Sequence, residues 1–133
     1  MTTGVYSRYE PPSVGVPNDD VLVTVEAAVA VLDAVYLKSS NLYAQANAGA
    51  IATMPVAGFV ASKPTATSAW LRSQGDLVGF TLVADTEYYA SLVAGGVTAT
   101  PPVVAGQVVQ GVGRAKNATT LTIAVQDDDY TVL

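Results

Sequence analysis

Residues 107–125 read QVVQGVGRAKNATTLTIAV. The segments on either side of Asn117-Ala118 are rich in valine, threonine and isoleucine, whose β-branched side chains suit the pleated surface of a strand. An Asn-Ala pair between two such segments is typical of a tight hairpin turn. Gly111 and Gly113 lie inside the first segment and indicate a bulge or a close approach of two backbones. This stretch therefore predicts a β-hairpin and favours an all-β fold.

Short segments of the same kind run from Asp20 to this hairpin, with separators of Gly, Ser, Thr, Asp and Pro at spacings typical of sandwiches and barrels. Residues 27–37 are alanine-rich, as a helix would be, but their valines follow a two-residue period that favours a strand with a turn around residues 32–34. We expect an all-β domain, a small β-barrel or sandwich of β-tulip-like form. The predicted strands are Val21–Val25, Ala27–Leu37, Leu42–Ala46, Pro55–Ala61, Ala69–Ser73, Leu77–Leu82, Glu87–Ser91, Gln107–Lys116 and Thr119–Val125.

The first nineteen residues differ from the rest because they hold three prolines, which block helix and central-strand pairing. We interpret residues 1–19 as an extended arm. Val5, Tyr6, Arg8 and Tyr9 are its candidate partner-binding residues, since aromatic side chains are depleted in truly disordered segments. A disordered terminus is the alternative. The predicted organisation is an arm over 1–19, a β domain over 20–126 and an acidic tail over 127–133.

Composition limits the chemistry that this chain of 133 residues can perform. Half of the residues are hydrophobic and only 13% are charged, so little charge covers the outside of a lone globule and part of the surface is expected to meet partners. Six basic residues are scattered singly and the net charge is −5, which argues against nucleic-acid binding. The absence of cysteine and histidine removes thiol, imidazole and Cys/His zinc chemistry. We expect no enzyme activity and no cofactor.

Two further features concern targeting and the membrane. The first residues lack the apolar stretch and cleavage pattern of a signal peptide. No uncharged apolar run approaches 20 residues, so no membrane span is expected. The sequence predicts synthesis in the cytoplasm.

The acidic cluster Asp127-Asp128-Asp129 offers oxygen ligands of the kind that calcium prefers. Its spacing is not that of an EF-hand loop, and consecutive side chains in an extended chain point in opposite directions. A solvated tail that discourages edge aggregation is therefore favoured over a metal site. The residues that follow, Tyr130–Leu133, could add a strand to a neighbouring molecule.

Other candidate residues have structural alternatives. Asp19-Asp20 or Glu26 could be imagined as forming the carboxylate pair of a glycosidase with Asp33 or Asp76. A turn-forming role is favoured because Asp binds its own backbone in turns. The single tryptophan, Trp70, is either an interface anchor or a core residue. Both interpretations of Trp70 stay open.

The second half of the chain carries an ordered set of motifs: TEYYAS at 86–91, GGVT at 95–98, TPP at 100–102, AGQVVQ at 105–110, VGRA at 112–115 and ATTL at 118–121. The first half adds DAVYLK at 33–38, LYAQA at 42–46 and VAGFV at 56–60. In this order the motifs resemble a small β-rich module of tailed-bacteriophage virion proteins, found in head decoration (cement) proteins, head fibres and tail-fibre attachment regions. The resemblance covers roughly residues 20–125.

The resemblance implies a mechanical function. It suggests a capsid decoration protein that binds the assembled head lattice as a homotrimer and stabilises it, with the major capsid protein or other virion proteins as partners. The implied location is the capsid surface of the virion, after synthesis in the host cytoplasm. A tail, head-fibre or baseplate subunit is the alternative, and a carbohydrate-binding module is an alternative from another class.

Overall fold

The computed structural model describes residues 20–126 and 128–133. The arm residues Val5, Tyr6, Arg8 and Tyr9, and Asp127 of the acidic cluster, lie outside the described residues. The described chain is nearly all β, which confirms the predicted fold class. A 3-10 turn at Ile51–Thr53 interrupts the strands. The strands are β1 (Val21–Val25), β2 (Ala34–Ser39), β3 (Leu42–Gln45), β4 (Gly58–Thr65), β5 (Ser68–Arg72), β6 (Gln74–Val78), β7 (Glu87–Ala90), β8 (Val97–Thr98), β9 (Val108–Val109), β10 (Gly111–Ala115), β11 (Thr120–Ala124) and β12 (Thr131–Val132).

The first half of the described chain closes into a five-stranded barrel in the order β1-β3-β2-β4-β5. Closure comes from β1, which pairs antiparallel with β5 and parallel with β3. Alternate residues of each strand point inward. The barrel interior is small and aliphatic, built from Val25, Val29, Val35, Val60, Ala69 and Leu71.

The second half forms an open five-stranded sheet in the order β6-β11-β10-β7-β8. Its centre is the predicted hairpin, in which β10 and β11 pair antiparallel with Arg114 opposite Thr122. Strand β6 therefore lies at one edge of this sheet and β8 at the other. A separate ribbon joins β9 to β12, with Val109 opposite Thr131.

One core lies between the barrel and the second sheet. The outward side chains of β2, β3 and β4, among them Tyr36, Ala44 and Phe59, pack against the inner face of the sheet. Phe59 meets Phe80 edge to face, with ring centroids 6.0 Å apart. Because both halves contribute to this core, neither half buries its apolar face without the other.

Gly113 shows why the hairpin needs glycine. A Cβ atom at this position would lie 2.4 Å from the backbone oxygen of Thr122 on β11, closer than any real contact. The register between β10 and β7 also shifts between Gly111 and Gly113. Both the bulge and the close backbone approach predicted from these two glycines are present.

The predicted strand over residues 27–37 is wrong in its first part, because β2 begins only at Ala34. Residues 27–33 form turns instead. The turn predicted around residues 32–34 is present at residues 31–32, where Leu32 adopts a positive φ of 78°. Asp33 Oδ2 accepts a hydrogen bond from the backbone N–H of Ala30 at 2.8 Å. The Lys63 ammonium donates to the carbonyl oxygens of Ala27 and Val29. These polar contacts outweigh the two-residue period of the valines.

The end of the chain also differs from expectation. We expected Tyr130–Leu133 to lie in a tail and to be available to a neighbouring molecule. Instead, Thr131–Val132 pairs with β9 of the same chain, and Leu133 donates its N–H to the Gln107 carbonyl oxygen at 2.8 Å. The terminal strand therefore belongs to the fold.

Candidate interaction surface

Trp70 lies on the outside of the barrel. Its strand neighbours Ala69 and Leu71 both point into the barrel interior, so the indole points away from it. The side chain is half-buried, and Leu22 lies directly opposite on β1 with 53% of its surface exposed. We call Leu22 and Trp70 the barrel strip. Of the two interpretations left open by the sequence, the structure supports a surface position over a core position.

The start of β1 is fixed beside the barrel strip by a paired aspartate and arginine. Arg72 donates through Nε and Nη2 to the two carboxylate oxygens of Asp20, each at 2.9 Å. Both side chains are largely withdrawn from solvent, and the hydrogen bond that Arg72 donates to Asp20 raises the pKa of Arg72 above its ordinary value. Arg72 Nη1 also donates to the Asp76 carbonyl oxygen at 2.6 Å, which ties this point to β6. The root of residues 1–19 thus has a defined place in the fold.

A second apolar surface lies beyond β8, where the chain runs from β7 to β9. A groove of about 290 Å³ opens there, and we call it the loop groove. Its most prominent apolar side chains are Leu92, Val103 and Val104, which are 48%, 83% and 57% exposed. None of the lining residues is charged: Ser91, Leu92, Thr98, Thr100, Pro101, Pro102, Val103, Val104 and Gln107.

Hydrogen bonds brace the rim of the loop groove. Ser91 Oγ accepts from the Val93 N–H at 3.0 Å, and Gln107 Oε1 accepts from the Val104 N–H at 3.2 Å. On the far side, the Gly106 N–H donates to the Leu133 carbonyl oxygen at 2.8 Å. These contacts fix the backbone while leaving the valine side chains in solvent. The groove is therefore a formed surface rather than a loose loop.

The outer face of the second sheet has the opposite character. Asp76 on β6 accepts hydrogen bonds from the Lys116 ammonium at 2.8 Å and from the Thr122 hydroxyl at 2.7 Å. These two bonds lower the pKa of Asp76, and the Asp76 carboxylate raises the pKa of Lys116. Arg114 and Glu87 face each other on the neighbouring strands at 3.8 Å. We call these five residues the charged face.

The other carboxylates considered in the sequence also have separate partners. Glu26 pairs with Lys38 at 2.5 Å. Asp33 accepts from the Gln45 side-chain amide at 2.9 Å as well as from its own turn, in line with the turn-forming role that the sequence favoured. Within residues 20–126 and 128–133, no group of three or more Asp or Glu residues is arranged to hold a metal ion.

The sequence predicted part of the barrel strip and none of the loop groove. It singled out Trp70 but not Leu22, and it missed Leu92, Val103 and Val104 altogether. One signal was available: Pro101-Pro102 ends strand pairing, so the valines that follow it have no sheet in which to be buried. The arm residues Val5, Tyr6, Arg8 and Tyr9 stay a prediction.

The chain matches no protein-family model, and no curated protein shows significant sequence similarity to it. In the part of the chain that the structure describes, no helix combines the length and the hydropathy of a membrane span.

Proposed function

We propose that this protein is a structural component of a tailed-bacteriophage particle, a decoration protein that binds the assembled head lattice and stabilises it. The observation that carries the proposal is the barrel strip. Leu22 and Trp70 leave apolar surface in solvent directly beside the point where residues 1–19 join the fold. A half-buried tryptophan next to an exposed aliphatic side chain is typical of a surface that is covered by a partner.

The binding surface of the proposed decoration protein has two parts. The arm residues Val5, Tyr6, Arg8 and Tyr9 form the first part, and Trp70 with Leu22 forms the second. The ion pair between Asp20 and Arg72 holds the two parts together, because it fixes the arm root two residues before Leu22. The major capsid protein is the proposed partner.

Assembly as a homotrimer suits contacts of this modest size. One tryptophan, one leucine and a short arm offer a small apolar area for each copy. Three linked copies can raise the overall affinity for a lattice by about 10²–10⁴ without any new kind of contact. The order of motifs in residues 86–121 supports the same proposal through its resemblance to decoration and fibre modules.

The proposal is tested on particles. Mass spectrometry of purified virions is expected to find the chain, and electron microscopy of labelled particles is expected to place it on the head. Heads assembled without the protein should then bind the added full chain to saturation. A chain lacking residues 1–19 should fold, as judged by circular dichroism, and show strongly reduced occupancy.

Other outcomes would contradict the proposal in different ways. Absence of the chain from purified particles would overturn it. Labels confined to the tail or baseplate would replace the head location with the alternative structural role. Full occupancy by the truncated chain would remove the arm from the binding surface, and tight saturable binding of a glycan would favour the carbohydrate-binding alternative.

A further inference from the structure

We propose that a cleft on the outer face of the second sheet binds a neutral saccharide. The cleft has a volume of about 460 Å³ and lies between the strands of that sheet and the C-terminal segment that leads into β12. We call it the sheet cleft. Its volume is in the range of small-molecule sites. The inference goes beyond the proposed function, because it concerns a small ligand and holds whether or not the chain binds a head lattice.

The floor of the sheet cleft includes a glycine that the fold itself does not require. Gly111 has no positive φ, so its backbone conformation is open to other residues. A Cβ at this position would have only Glu87 Oε2 within 4 Å, at 3.8 Å, whereas a Cβ at Gly113 would meet backbone. Glycine inside a strand lowers stability and often marks the close approach of a ligand. The bare floor at Gly111 therefore indicates that something occupies the space above it.

The walls of the sheet cleft carry an aromatic ring and charges of both signs. Tyr130 lines the cleft and keeps 37% of its surface exposed. Glu87 and Asp129 supply carboxylates, and Arg114 supplies a guanidinium. The guanidinium is held in place because its Nη2 donates to the Asp85 carbonyl oxygen at 2.7 Å. The cleft thus offers acceptors, donors and one flat apolar surface.

This combination selects a neutral ligand that is rich in hydroxyl groups. A cation would be repelled by Arg114, and an anion would be repelled by Glu87 and Asp129. A hydroxyl both donates and accepts, so it can pair with a carboxylate or with a guanidinium. Hydrogen bonds to such ionised groups are the stronger kind. The C–H groups on one side of a sugar ring are apolar and can pack on the body of Tyr130.

The sheet cleft differs in this respect from the barrel strip and the loop groove. Its charged groups are hydrated, and covering them with an apolar protein surface would cost their hydration without replacing it. Sugar hydroxyls replace that water with new hydrogen bonds. Because the cleft is open and one sugar ring is small, we expect a dissociation constant of about 1 mM or weaker for one copy. Such weak binding is distinct from the tight binding that a dedicated carbohydrate-binding module would show.

The test is a nuclear magnetic resonance titration of the isolated full chain labelled with ¹⁵N. The probes are the methyl glycosides of glucose, galactose and N-acetylglucosamine. We expect at least one of them to shift the backbone amides of Gly111 and Tyr130 in a saturable manner. The absence of saturable shifts with all three probes would overturn the proposal, as would saturable shifts confined to residues outside the sheet cleft.

Two variants change the cleft in different ways. Tyr130→Ala removes the ring, and Gly111→Val places a branched side chain on the floor. Each should abolish the saturable shifts. Val78→Ser, on the outer edge strand β6 and outside the lining of the cleft, is the matched control and should bind as the unaltered chain does. Circular dichroism checks that all three variants fold, and saturable binding that either cleft variant retains would overturn the proposal.

A lysine side chain is the competing occupant, because two carboxylates face one guanidinium in the cleft. A parallel titration with N-acetyl-lysine methylamide distinguishes the two ligands. We expect no saturable shifts at Gly111 and Tyr130 with this probe. Saturable binding of the lysine probe in the sheet cleft would overturn the assignment to a neutral ligand. Neither titration involves particles, so the proposed binding to heads is tested separately.

Discussion

The barrel strip and the charged face have opposite character. On the barrel, Trp70 and Leu22 lie opposite each other on β5 and β1 and carry no charge. On the second sheet, the corresponding outward positions hold the charged face, where Asp76 is bonded to both Lys116 and Thr122. Both faces belong to one body with a shared core.

The contrast shows how a chain with few charges uses them. A paired charge on an open sheet keeps that face hydrated and discourages association with other molecules. An uncovered apolar strip favours association instead, because its burial against a partner is favourable. The two ion pairs of the second sheet, Asp76–Lys116 and Glu87–Arg114, lie on its solvent-facing side. The barrel side is left for contact.

The largest expected effect is on the free energy of unfolding, and it tests whether the barrel and the second sheet are equally closely packed. Gly113→Ala would place a Cβ 2.4 Å from the Thr122 oxygen, and Gly58→Ala would place one 2.8 Å from the Arg72 oxygen in the barrel. We expect each to lower the free energy of unfolding by about 3 kcal/mol, since backbone cannot move aside as a flexible side chain does. Chemical denaturation followed by circular dichroism measures both.

Gly111→Ala is the matched control on the same strand as Gly113. Its nearest neighbour would be the Glu87 carboxylate at 3.8 Å, so the loss should stay within about 0.5 kcal/mol. Tolerance of Gly58→Ala alone would mean that the barrel is packed more loosely than the sheet.

The next effect separates binding from folding. Trp70→Ser should weaken the binding of the chain to heads by about 30-fold, the cost of losing a tryptophan at the centre of an interface. The free energy of unfolding should fall by no more than about 1 kcal/mol, because Trp70 is in neither apolar core. Val78→Ser on the second sheet is the matched surface control and should change neither. A titration of heads with labelled chain measures the affinities, and unchanged binding by Trp70→Ser would contradict the role of the barrel strip.

The smallest effect concerns the charged face. The pKa of Asp76 is lowered in the folded chain by the hydrogen bonds from Lys116 and Thr122. Its contribution is therefore present above the unfolded pKa of about 4 and is lost as the pH falls through the lower folded value. Asp76→Asn should lower the melting temperature by only about 1–2 °C at pH 7.

This difference should vanish in acid. Thermal melts of the two chains from pH 7 down to pH 2 would show it, since below the folded pKa both carry an uncharged group at position 76. A difference that persists at the lowest pH would mean that the Asp76 side chain acts by packing rather than by charge.

Local patterns predicted the elements that depend on neighbouring residues. The β10–β11 hairpin was predicted from its β-branched flanks and its Asn-Ala turn, and the special position of Gly113 was predicted because glycine inside a strand has few other uses. The strand predicted over residues 27–33 was wrong, because a pattern of neighbouring residues does not reveal contacts from distant ones. Its valines suggested a strand, but Asp33 and the distant Lys63 bind its backbone in turns.

The surfaces were harder to predict than the strands. Whether Trp70 faces a core or solvent depends on which face of β5 the barrel closes over, and that is decided by the pairing of β1 with β5. The loop groove depends on the return of residue 133 to Gly106 and Gln107, a contact between segments that sequence reasoning had kept apart.

The sequence by itself determined the β class, the hairpin, the few charges and the lack of cysteine and histidine, because these follow from residue types and from patterns a few residues long. Only the tertiary structure decided that the strands form a closed barrel joined to an open sheet through one core. It also decided that Leu22 and Trp70 would lie together on the barrel surface, and that the two ion pairs Asp76–Lys116 and Glu87–Arg114 would lie together on the second sheet. Whether an outward side chain is exposed depends on which elements pack against its face of the sheet, and those elements come from distant parts of the chain.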